Sequence, residues 1–102
     1  MIEFYSEDKE LIEDLGSNKN IYIFFYSPSC DPCKKIYPEV LEFGKAVKDI
    51  VYFIHEEQAL TLQQQLNVTA YPSIVRIKNR KVLLAGLGIN EVKKIIDDGK
   101  SN

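Results

Sequence analysis

The chain has 102 residues, of which 45% are hydrophobic and 27% charged, and its formal net charge is −2. A chain of this length predicts a single domain over residues 1–102, with enough apolar residues to build an ordinary core without a structural disulfide. Lys and Arg total 13 against 15 Asp and Glu, which argues against a basic surface for nucleic acid or for anionic lipid.

The first residues bear on the cellular location. Residues 1–10 are acidic and lack the basic region and the uninterrupted apolar stretch of a secretory signal. No apolar run approaches the roughly 18 residues that a membrane span requires. We therefore expect a cytoplasmic protein without membrane association. In that reducing compartment a close cysteine pair is more often catalytic or metal-binding than structural.

The first half of the chain alternates between predicted strand and predicted helix. Residues 2–5 favour a short strand, and Ser6 is expected to be the N-cap of a helix with two acidic residues in its first turn. Gly16 is expected to end that helix. The aromatic and β-branched run at 21–26 is typical of a central strand that helices cover on both faces.

The second predicted helix begins at two cysteines. Cys33 shares one helical face with apolar residues spaced three or four positions apart, at Ile36, Val40, Phe43 and Val47. Cys30 precedes the helix proper. The spacing therefore predicts a shielded sulfur on Cys33 and a solvent-accessible sulfur on Cys30.

Later segments predict a buried strand, a short helix and an antiparallel hairpin, over residues 51–54, 59–66 and 73–85. Asn79 and Arg80 form the hairpin turn, and residues 63–65 are expected on the exposed side of the short helix. A last helix is expected to begin at Asn90 and to end at Gly99. The order β-α-β-α-β-α-β-β-α predicts an α/β fold with one mixed central sheet and helices on both faces.

The Cys-x-x-Cys pair has three interpretations. It could be two buried cysteines without chemical consequence. A zinc site needs about four ligands, and the chain offers two thiols and His55, so that only a site shared between two chains would be complete. Redox chemistry fits best, because the pair follows a buried strand and opens a helix whose N-terminal amides stabilise a thiolate. We predict no metal and no bound cofactor.

The residues around this pair resemble the thioredoxin family. Cys30-Asp31-Pro32-Cys33-Lys34 corresponds to that family's Cys-Gly-Pro-Cys-Lys, and Pro38 falls where thioredoxins kink the active-site helix. Tyr71-Pro72-Ser73 matches the family's cis-proline segment, and Gly88 matches a glycine that borders the substrate groove. The landmarks align without gaps over residues 30–91, so that the similarity extends well beyond the motif.

The resemblance implies a thioredoxin fold with Pro72 in cis, and an oxidoreductase that reduces protein disulfides. Cys30 would be the nucleophile and Cys33 the resolving cysteine. The residues implied in substrate binding are Ser29, Asp31, Pro32, Tyr71, Pro72 and Gly88. The implied partners are disulfide-containing protein substrates and an electron donor of the thioredoxin reductase type, and we expect a monomer.

One departure from the family pattern concerns proton transfer. Phe24 and Phe53 stand where thioredoxins carry a buried aspartate and a lysine on the neighbouring strand. The aspartate is thought to assist proton removal from the resolving cysteine, which two phenylalanines cannot do. We therefore expect resolution by Cys33 to be slow near neutral pH and to accelerate as the pH rises.

Three other departures lie at the motif and at the hairpin. Ser29 replaces the tryptophan that usually precedes the first cysteine, so that part of a flat docking surface is missing. Asp31 replaces a glycine; we expect it to be the N-cap before Pro32 at the first helical position, and its charge to favour a reducing potential. Asn79-Arg80 replaces Asn-Gly, and because Arg80 resists a positive φ we expect another turn type.

Two other functions stay open at this point. The protein could be a dedicated electron carrier for one partner enzyme, such as a ribonucleotide reductase, since the missing tryptophan and the phenylalanine pair fit specialisation. It could also be a non-catalytic docking module that uses the thioredoxin fold. The intact pair of Cys30 and Cys33 argues against the docking module, which would not require both thiols.

Overall fold

Residues 3–101 are described by a computed structural model, in which they form four helices and four strands. In chain order these are α1 (Lys9–Leu15), β1 (Ile21–Tyr26), α2 (Asp31–Ala46), β2 (Ile50–His55), α3 (Leu60–Gln65), β3 (Ser73–Lys78), β4 (Lys81–Leu87) and α4 (Ile89–Lys100). No helix in this part of the chain combines the length and the apolar character needed to cross a bilayer.

The sheet is mixed, with the strand order β2-β1-β3-β4. β1 pairs parallel with β2 and antiparallel with β3, and β3 pairs antiparallel with β4. Residues 21–25 of β1 are buried, which confirms the central strand predicted from its apolar run. The strand predicted at 51–54 is confirmed as part of β2, but its predicted burial is wrong: β2 lies at a sheet edge among the described residues, and Ile54 is its one buried member.

A hydrophobic core lies on each face of the sheet, because alternate residues of β1 point to opposite sides. On one face Ile21, Ile23 and Phe25 pack with residues of α1 and α3. On the other face Tyr22 and Phe24 pack with residues of α2 and α4, among them Ile36, Val40, Phe43, Val92 and Ile96. The expected fold class, a mixed sheet with helices on both faces, is confirmed.

The strand predicted at residues 2–5 is not found. Ile2 lies outside the described residues, and residues 3–5 form no strand. The side-chain amide of Gln65 takes the place of a strand ladder: the Tyr5 N–H donates to Gln65 Oε1 at 2.9 Å, and Gln65 Nε2 donates to the Glu3 carbonyl oxygen at 2.7 Å. These bonds satisfy the backbone, so that a ladder is not required here.

The first helix begins later than expected. Asp8 is the N-cap of α1, and its Oδ1 accepts from the Leu11 N–H at 3.1 Å. Ser6, the expected N-cap, instead accepts from the Asp8 N–H at 3.2 Å. Gly16 is the C-cap, as predicted. Serine and aspartate are equally common N-caps, but the Asp8 carboxylate, two residues further on, makes the stronger, charge-assisted hydrogen bond.

The last helix also differs at both ends from the prediction. Gly88 is its N-cap rather than Asn90, and it continues through Gly99 to Lys100. Phe43 packs against the helix at Gly99, and a larger residue would not fit there: a Cβ at this position would approach Phe43 Cε1 to 2.7 Å. Gly99 therefore does not end the helix, as its sequence position suggested, but allows α4 to pack closely against Phe43 of α2.

The β3–β4 hairpin keeps a two-residue turn in spite of its arginine. Asn79 and Arg80 have φ angles of 51° and 61°, both in the left-handed region of a type I′ turn. The expectation of another turn type is wrong. The turn lies against the end of α1, where the Asn79 N–H donates to the Ser17 carbonyl at 2.9 Å and the Arg80 N–H to the Leu15 carbonyl at 2.7 Å. These bonds offset the conformational cost at Arg80.

Candidate active site

Two cysteines of unequal exposure lie at the start of α2. Cys30 and Cys33 are joined as a disulfide, with their Cα atoms 5.2 Å apart. Cys33 is 1% exposed, whereas Cys30 is partly exposed. The apolar spacing had predicted this difference, because Cys33 heads the buried face of α2 and Cys30 precedes it.

The sulfur of Cys30 caps the helix. Cys30 has extended backbone angles, and its Sγ accepts from the Cys33 N–H at 3.2 Å. The expectation that Asp31 is the N-cap is therefore wrong: Asp31 is the first helical residue and Pro32 the second. Pro32 suits this place because the first turn of a helix leaves its N–H groups without intrahelical partners. The Asp31 carboxylate is exposed and lies 3.9 Å from Lys34 Nζ.

The loop before β3 brings backbone atoms close to the sulfur of Cys30. The Tyr71–Pro72 peptide bond is cis, as the resemblance implied. The Tyr71 carbonyl oxygen lies 3.6 Å from Cys30 Sγ. The Pro72 carbonyl accepts from the Gly88 N–H at 2.8 Å, which joins this loop to the start of α4. Three segments distant in sequence thus meet at one disulfide.

Gly88 leaves open space beside this loop. Its φ of 86° lies in a region that side chains rarely adopt, and no atom outside residues 87–89 lies within 4 Å of the place where its Cβ would be. A glycine here therefore satisfies both the backbone conformation and the clearance of the surface next to Pro72.

The predicted residues that flank Cys30 form an exposed rim. Ser29, Asp31 and Pro32 are all exposed. Ser29 Oγ lies 3.1 Å from Oγ of the buried Ser27, whose carbonyl oxygen accepts from the Cys30 N–H at 3.2 Å. The short connection between β1 and α2 is thereby held against the end of β1.

The family model described as thioredoxin matches residues 3–100. The chain belongs to the thioredoxin family. Among curated relatives, the thioredoxin H-type of Brassica oleracea is 35% identical over 68 residues, which cover 66% of this chain and 55% of the relative. Thioredoxin-T of Drosophila melanogaster is 32% identical over 88 residues, which cover 84% and 55%. The matched part of this thioredoxin-family chain spans about half the length of these two relatives.

Solved thioredoxin structures share its fold. The thioredoxin of Fasciola hepatica superposes with a TM-score of 0.75 at 27% identity, covering 90% of each chain. The thioredoxin of Schistosoma mansoni superposes with a TM-score of 0.76 at 24% identity, covering 91% of this chain and 88% of that one. The backbone of this chain therefore superposes on both structures over about nine-tenths of its length.

An aromatic cluster occupies the place of the aspartate–lysine pair in this thioredoxin-family chain. The cluster consists of Phe24, Tyr26, Tyr37, Phe53 and His55, with ring centroids 5.2–6.1 Å apart. Such edge-on and stacked contacts stabilise a core beyond its buried area. His55, at the half-buried end of β2, accepts from the Glu57 N–H through Nδ1 at 3.1 Å. Among residues 3–101 no group of three His, Cys, Asp or Glu side chains could hold a metal ion.

Sequence reasoning missed one residue beside the site. Gln63 was expected on the exposed side of α3, but it is 5% exposed. The Tyr71 hydroxyl donates to its Oε1. Burial raises the pKa of Tyr71 above its ordinary value, and the charge of Glu56 raises it further. The neighbouring buried Leu62 was the one sequence signal, and three consecutive glutamines do not reveal which of them faces inward.

Proposed function

We propose that this protein reduces protein disulfides by thiol–disulfide exchange, with Cys30 as the nucleophile and Cys33 as the resolving cysteine. The observation that carries the proposal is the unequal pair itself. A partly exposed sulfur is joined to a buried one at the start of a helix, 3.6 Å from the carbonyl of Tyr71. The thioredoxin family model over residues 3–100 supports the same chemistry.

The first half of the reaction uses Cys30 of the reduced protein. Its thiolate attacks one sulfur of the substrate disulfide, a bond forms between Cys30 and the substrate, and the other substrate sulfur leaves as a thiolate. The amide groups at the start of α2 stabilise the attacking thiolate, since a helix N-terminus carries partial positive charge. The Cys33 N–H already points at this sulfur, with a distance of 3.2 Å.

The second half releases the substrate. The Cys33 thiolate attacks Cys30 Sγ, the bond between Cys30 and the substrate breaks, and the Cys30–Cys33 disulfide forms. The substrate leaves with two thiols, having gained two electrons and two protons. An electron donor of the thioredoxin reductase type then returns the protein to its dithiol form; this donor is inferred from the family.

Substrate recognition is proposed to use the cis-proline loop and the rim around Cys30. An extended substrate segment would pair with the backbone of Tyr71 beside Pro72, over the open space at Gly88. The exposed residues Ser29, Asp31 and Pro32 would contact it from the other side. Because Ser29 replaces a tryptophan, this contact area is less apolar than in other thioredoxins.

The wider setting follows from the same reasoning. We infer that residues 1–102 act as one unit, that the protein works as a monomer, and that it works in the cytoplasm, where a reductase keeps the dithiol form available. These inferences rest on the charge balance of the chain and on its membership of the thioredoxin family.

A dedicated carrier for one partner enzyme is the second candidate. Two observations favour it: the missing tryptophan before Cys30 and the aromatic pair Phe24 and Phe53 in place of a proton-transfer pair. A carrier of this kind would still exchange its dithiol through Cys30, but it would reduce unrelated disulfides slowly.

Reduction of insulin by dithiothreitol, followed by turbidity, tests the proposal. The wild-type protein should accelerate it and Cys30→Ser should not. A Cys33→Ser variant should accumulate a mixed disulfide through Cys30, which mass spectrometry of captured proteins would identify. One dominant captured protein with slow insulin reduction would favour the dedicated carrier. If the wild-type protein does not reduce insulin and the Cys33→Ser variant captures no mixed disulfide, both functions are refuted and the docking module remains.

A further inference from the structure

Gln63 is a buried polar residue whose hydrogen bonds are all made. It lies in α3, on the side of the sheet opposite the helix that carries the cysteines. Its backbone N–H donates to the Ala59 carbonyl at 2.9 Å, and its carbonyl accepts from the Val68 N–H at 2.9 Å. Burying a primary amide is costly unless each of its polar atoms is paired, so that its surroundings determine how the side chain points.

The orientation of the Gln63 carboxamide follows from two of these bonds. Nε2 donates to the Glu56 carbonyl at 3.0 Å and to the Gln58 carbonyl at 2.6 Å. Both hydrogens of the amide are therefore used on the loop that leads into α3. Oε1 must then face the other way, where it accepts from the Tyr71 hydroxyl.

Tyr71 connects this amide to the disulfide. Its ring packs against the core on the α1 and α3 face of the sheet, and its hydroxyl is bound by Gln63. Its carbonyl oxygen, at the other end of the same residue, lies 3.6 Å from Cys30 Sγ. The position of that carbonyl is coupled to the position of the ring, because only the Cα and Cβ atoms separate the two.

The other side of the loop is also held. The Ser73 hydroxyl donates to the Ala70 carbonyl at 2.5 Å, and the Gly88 N–H donates to the Pro72 carbonyl at 2.8 Å. These bonds join the loop to its own backbone and to the start of α4. Gln63 provides the hydrogen bond from the α3 side, so that the loop is held through Tyr71 on that side and through Pro72 at the start of α4.

We propose that Gln63 is a positioning residue for substrate binding: by fixing the Tyr71 side chain it holds the Tyr71 backbone where a substrate segment pairs with it beside Cys30. This inference rests on the proposed reduction of protein disulfides. It assigns Gln63 no part in sulfur chemistry. Loss of the hydrogen bond should therefore weaken the binding of a peptide disulfide without slowing the exchange step.

Single-turnover kinetics separate these two effects. The reduced protein is mixed with increasing concentrations of a peptide disulfide that carries a self-quenched pair of fluorophores, which gives an apparent dissociation constant and a limiting rate. The same proteins are mixed with 5,5′-dithiobis(2-nitrobenzoate), a small disulfide that has no peptide backbone to pair with Tyr71. The variants are Gln63→Met, Tyr71→Phe and the two combined, with Gln64→Met, at an exposed position of α3, as the control.

We expect Gln63→Met and Tyr71→Phe each to raise the apparent dissociation constant for the peptide roughly threefold to tenfold, the effect of losing one buried hydrogen bond. In Gln63→Met the limiting rate and the reaction with the small disulfide should stay unchanged. The apparent dissociation constant of the double variant should not exceed that of the weaker-binding single variant, because both changes remove the same hydrogen bond. Gln64→Met should behave like the wild-type protein. Should Gln63→Met not fold, Tyr71→Phe removes the same hydrogen bond with less disturbance.

Two results would overturn the inference. One is an unchanged dissociation constant in the folded variant. The other is an equal loss toward the peptide and the small disulfide, which would indicate a general loss of structure. A wild-type protein that reduces neither disulfide would instead refute the proposed function, and the inference with it. The reaction of the wild-type protein thus distinguishes the two failures.

Discussion

Phe24 lies directly opposite Phe53 on neighbouring parallel strands, with ring centroids 5.7 Å apart and ring planes at 75°. Phe24 is fully buried, and its core also contains Ile36 and Val40 of the helix that Cys33 heads. The register confirms that the two positions are neighbours, as the family resemblance implied. An apolar contact therefore occupies the place where thioredoxins carry a proton-transfer pair.

Phe24→Asp should accelerate the resolution step at neutral pH, because a carboxylate at this place can take the proton from Cys33. A positioned general base usually contributes on the order of 10²- to 10⁴-fold, so that we expect a gain of at least about tenfold. The pH at which the rate rises should fall in the same variant. Stopped-flow release of a fluorescent substrate from the mixed disulfide, measured between pH 6 and 10, records both effects.

The cost of Phe24→Asp is stability, about 3–5 kcal/mol, since it empties and polarises a buried position. Phe24→Leu is the control, which loses volume but stays apolar and should keep the wild-type pH profile. Should the single variant not fold, Phe53→Lys added to it supplies the opposite charge next to the new acid. Identical pH profiles for the aspartate and leucine variants would contradict this role for the aromatic pair.

Gly99 and Gly44 should respond in opposite ways to a single added methyl group. At Gly99 a Cβ would meet Phe43 Cε1 at 2.7 Å, whereas at Gly44 the nearest atom is Val51 Cβ at 3.6 Å. We expect Gly99→Ala to destabilise the protein by about 1–3 kcal/mol through overpacking. Gly44→Ala should stabilise it by about 0.5–1 kcal/mol through helix propensity. Urea unfolding measures both, and a shift of the same sign in the two variants would contradict the packing of α4 on α2.

Tyr52 makes the stability depend on pH in alkaline solution. Its hydroxyl donates to Asp14 Oδ2 at 2.5 Å. Burial first, then this hydrogen bond and the nearby carboxylates, raise the pKa of Tyr52 well above its ordinary value of 10.0. The folded protein therefore retains a proton that the unfolded chain loses above pH 10, so that the contribution is complete below that pH and decreases as the pH rises.

Tyr52→Phe tests this linkage. It should cost about 1.5–3 kcal/mol at pH 7, the range for a hydrogen bond to a charged group. Its free energy of unfolding should decline less steeply than that of the wild-type protein between pH 10 and 11.5. Urea titrations at four pH values provide the comparison. If the free energy of unfolding changed with pH in parallel for the two proteins, Tyr52 would titrate alike in the folded and the unfolded state, and the linkage would be refuted.

Ala59 has left-handed backbone angles, with φ at 49° and ψ at 48°, at the N-cap of α3. A Cβ is unfavourable there, so that Ala59→Gly should stabilise the protein by about 0.5–1 kcal/mol after the greater freedom of the unfolded chain is counted. The control is Ala85→Gly in β4, which should destabilise by a similar amount because glycine weakens a strand. A loss of stability in Ala59→Gly would mean that its methyl contacts with the core outweigh the strain.

Much of the fold was predictable because its signals are local. The three- and four-residue spacing after Cys33 specifies one helical face, and the apolar run of β1 specifies a strand covered on both sides. Each of these signals is carried by residues that are close together in the sequence, within a few helical turns or within one strand. The cysteine pair and the cis-proline segment were recognisable for a similar reason, since each is a short motif.

The missed features depend on distant partners. The Arg80 turn is held by the carbonyl groups of Leu15, at the end of α1, and of Ser17, just after it, about sixty residues earlier in the chain. Gln63 is buried because Tyr71 and a loop before α3 pair with its amide. Residues 3–5 bond the side chain of Gln65 instead of a strand. Local propensity carries no information about such contacts, so that only the folded structure reveals them.

The hydrogen bond from the Cys33 amide to Cys30 Sγ has a spectroscopic consequence. In the proposed reaction its acceptor is a thiolate at the moment of attack, a substrate-linked sulfur in the mixed disulfide and a disulfide sulfur afterwards, and these accept with different strength. The proton resonance of this one amide should therefore differ among the three states. The chain has no tryptophan whose fluorescence could report the redox state. The ¹⁵N-labelled amide of Cys33 would take that role and would follow each state of the reaction without a dye on the substrate.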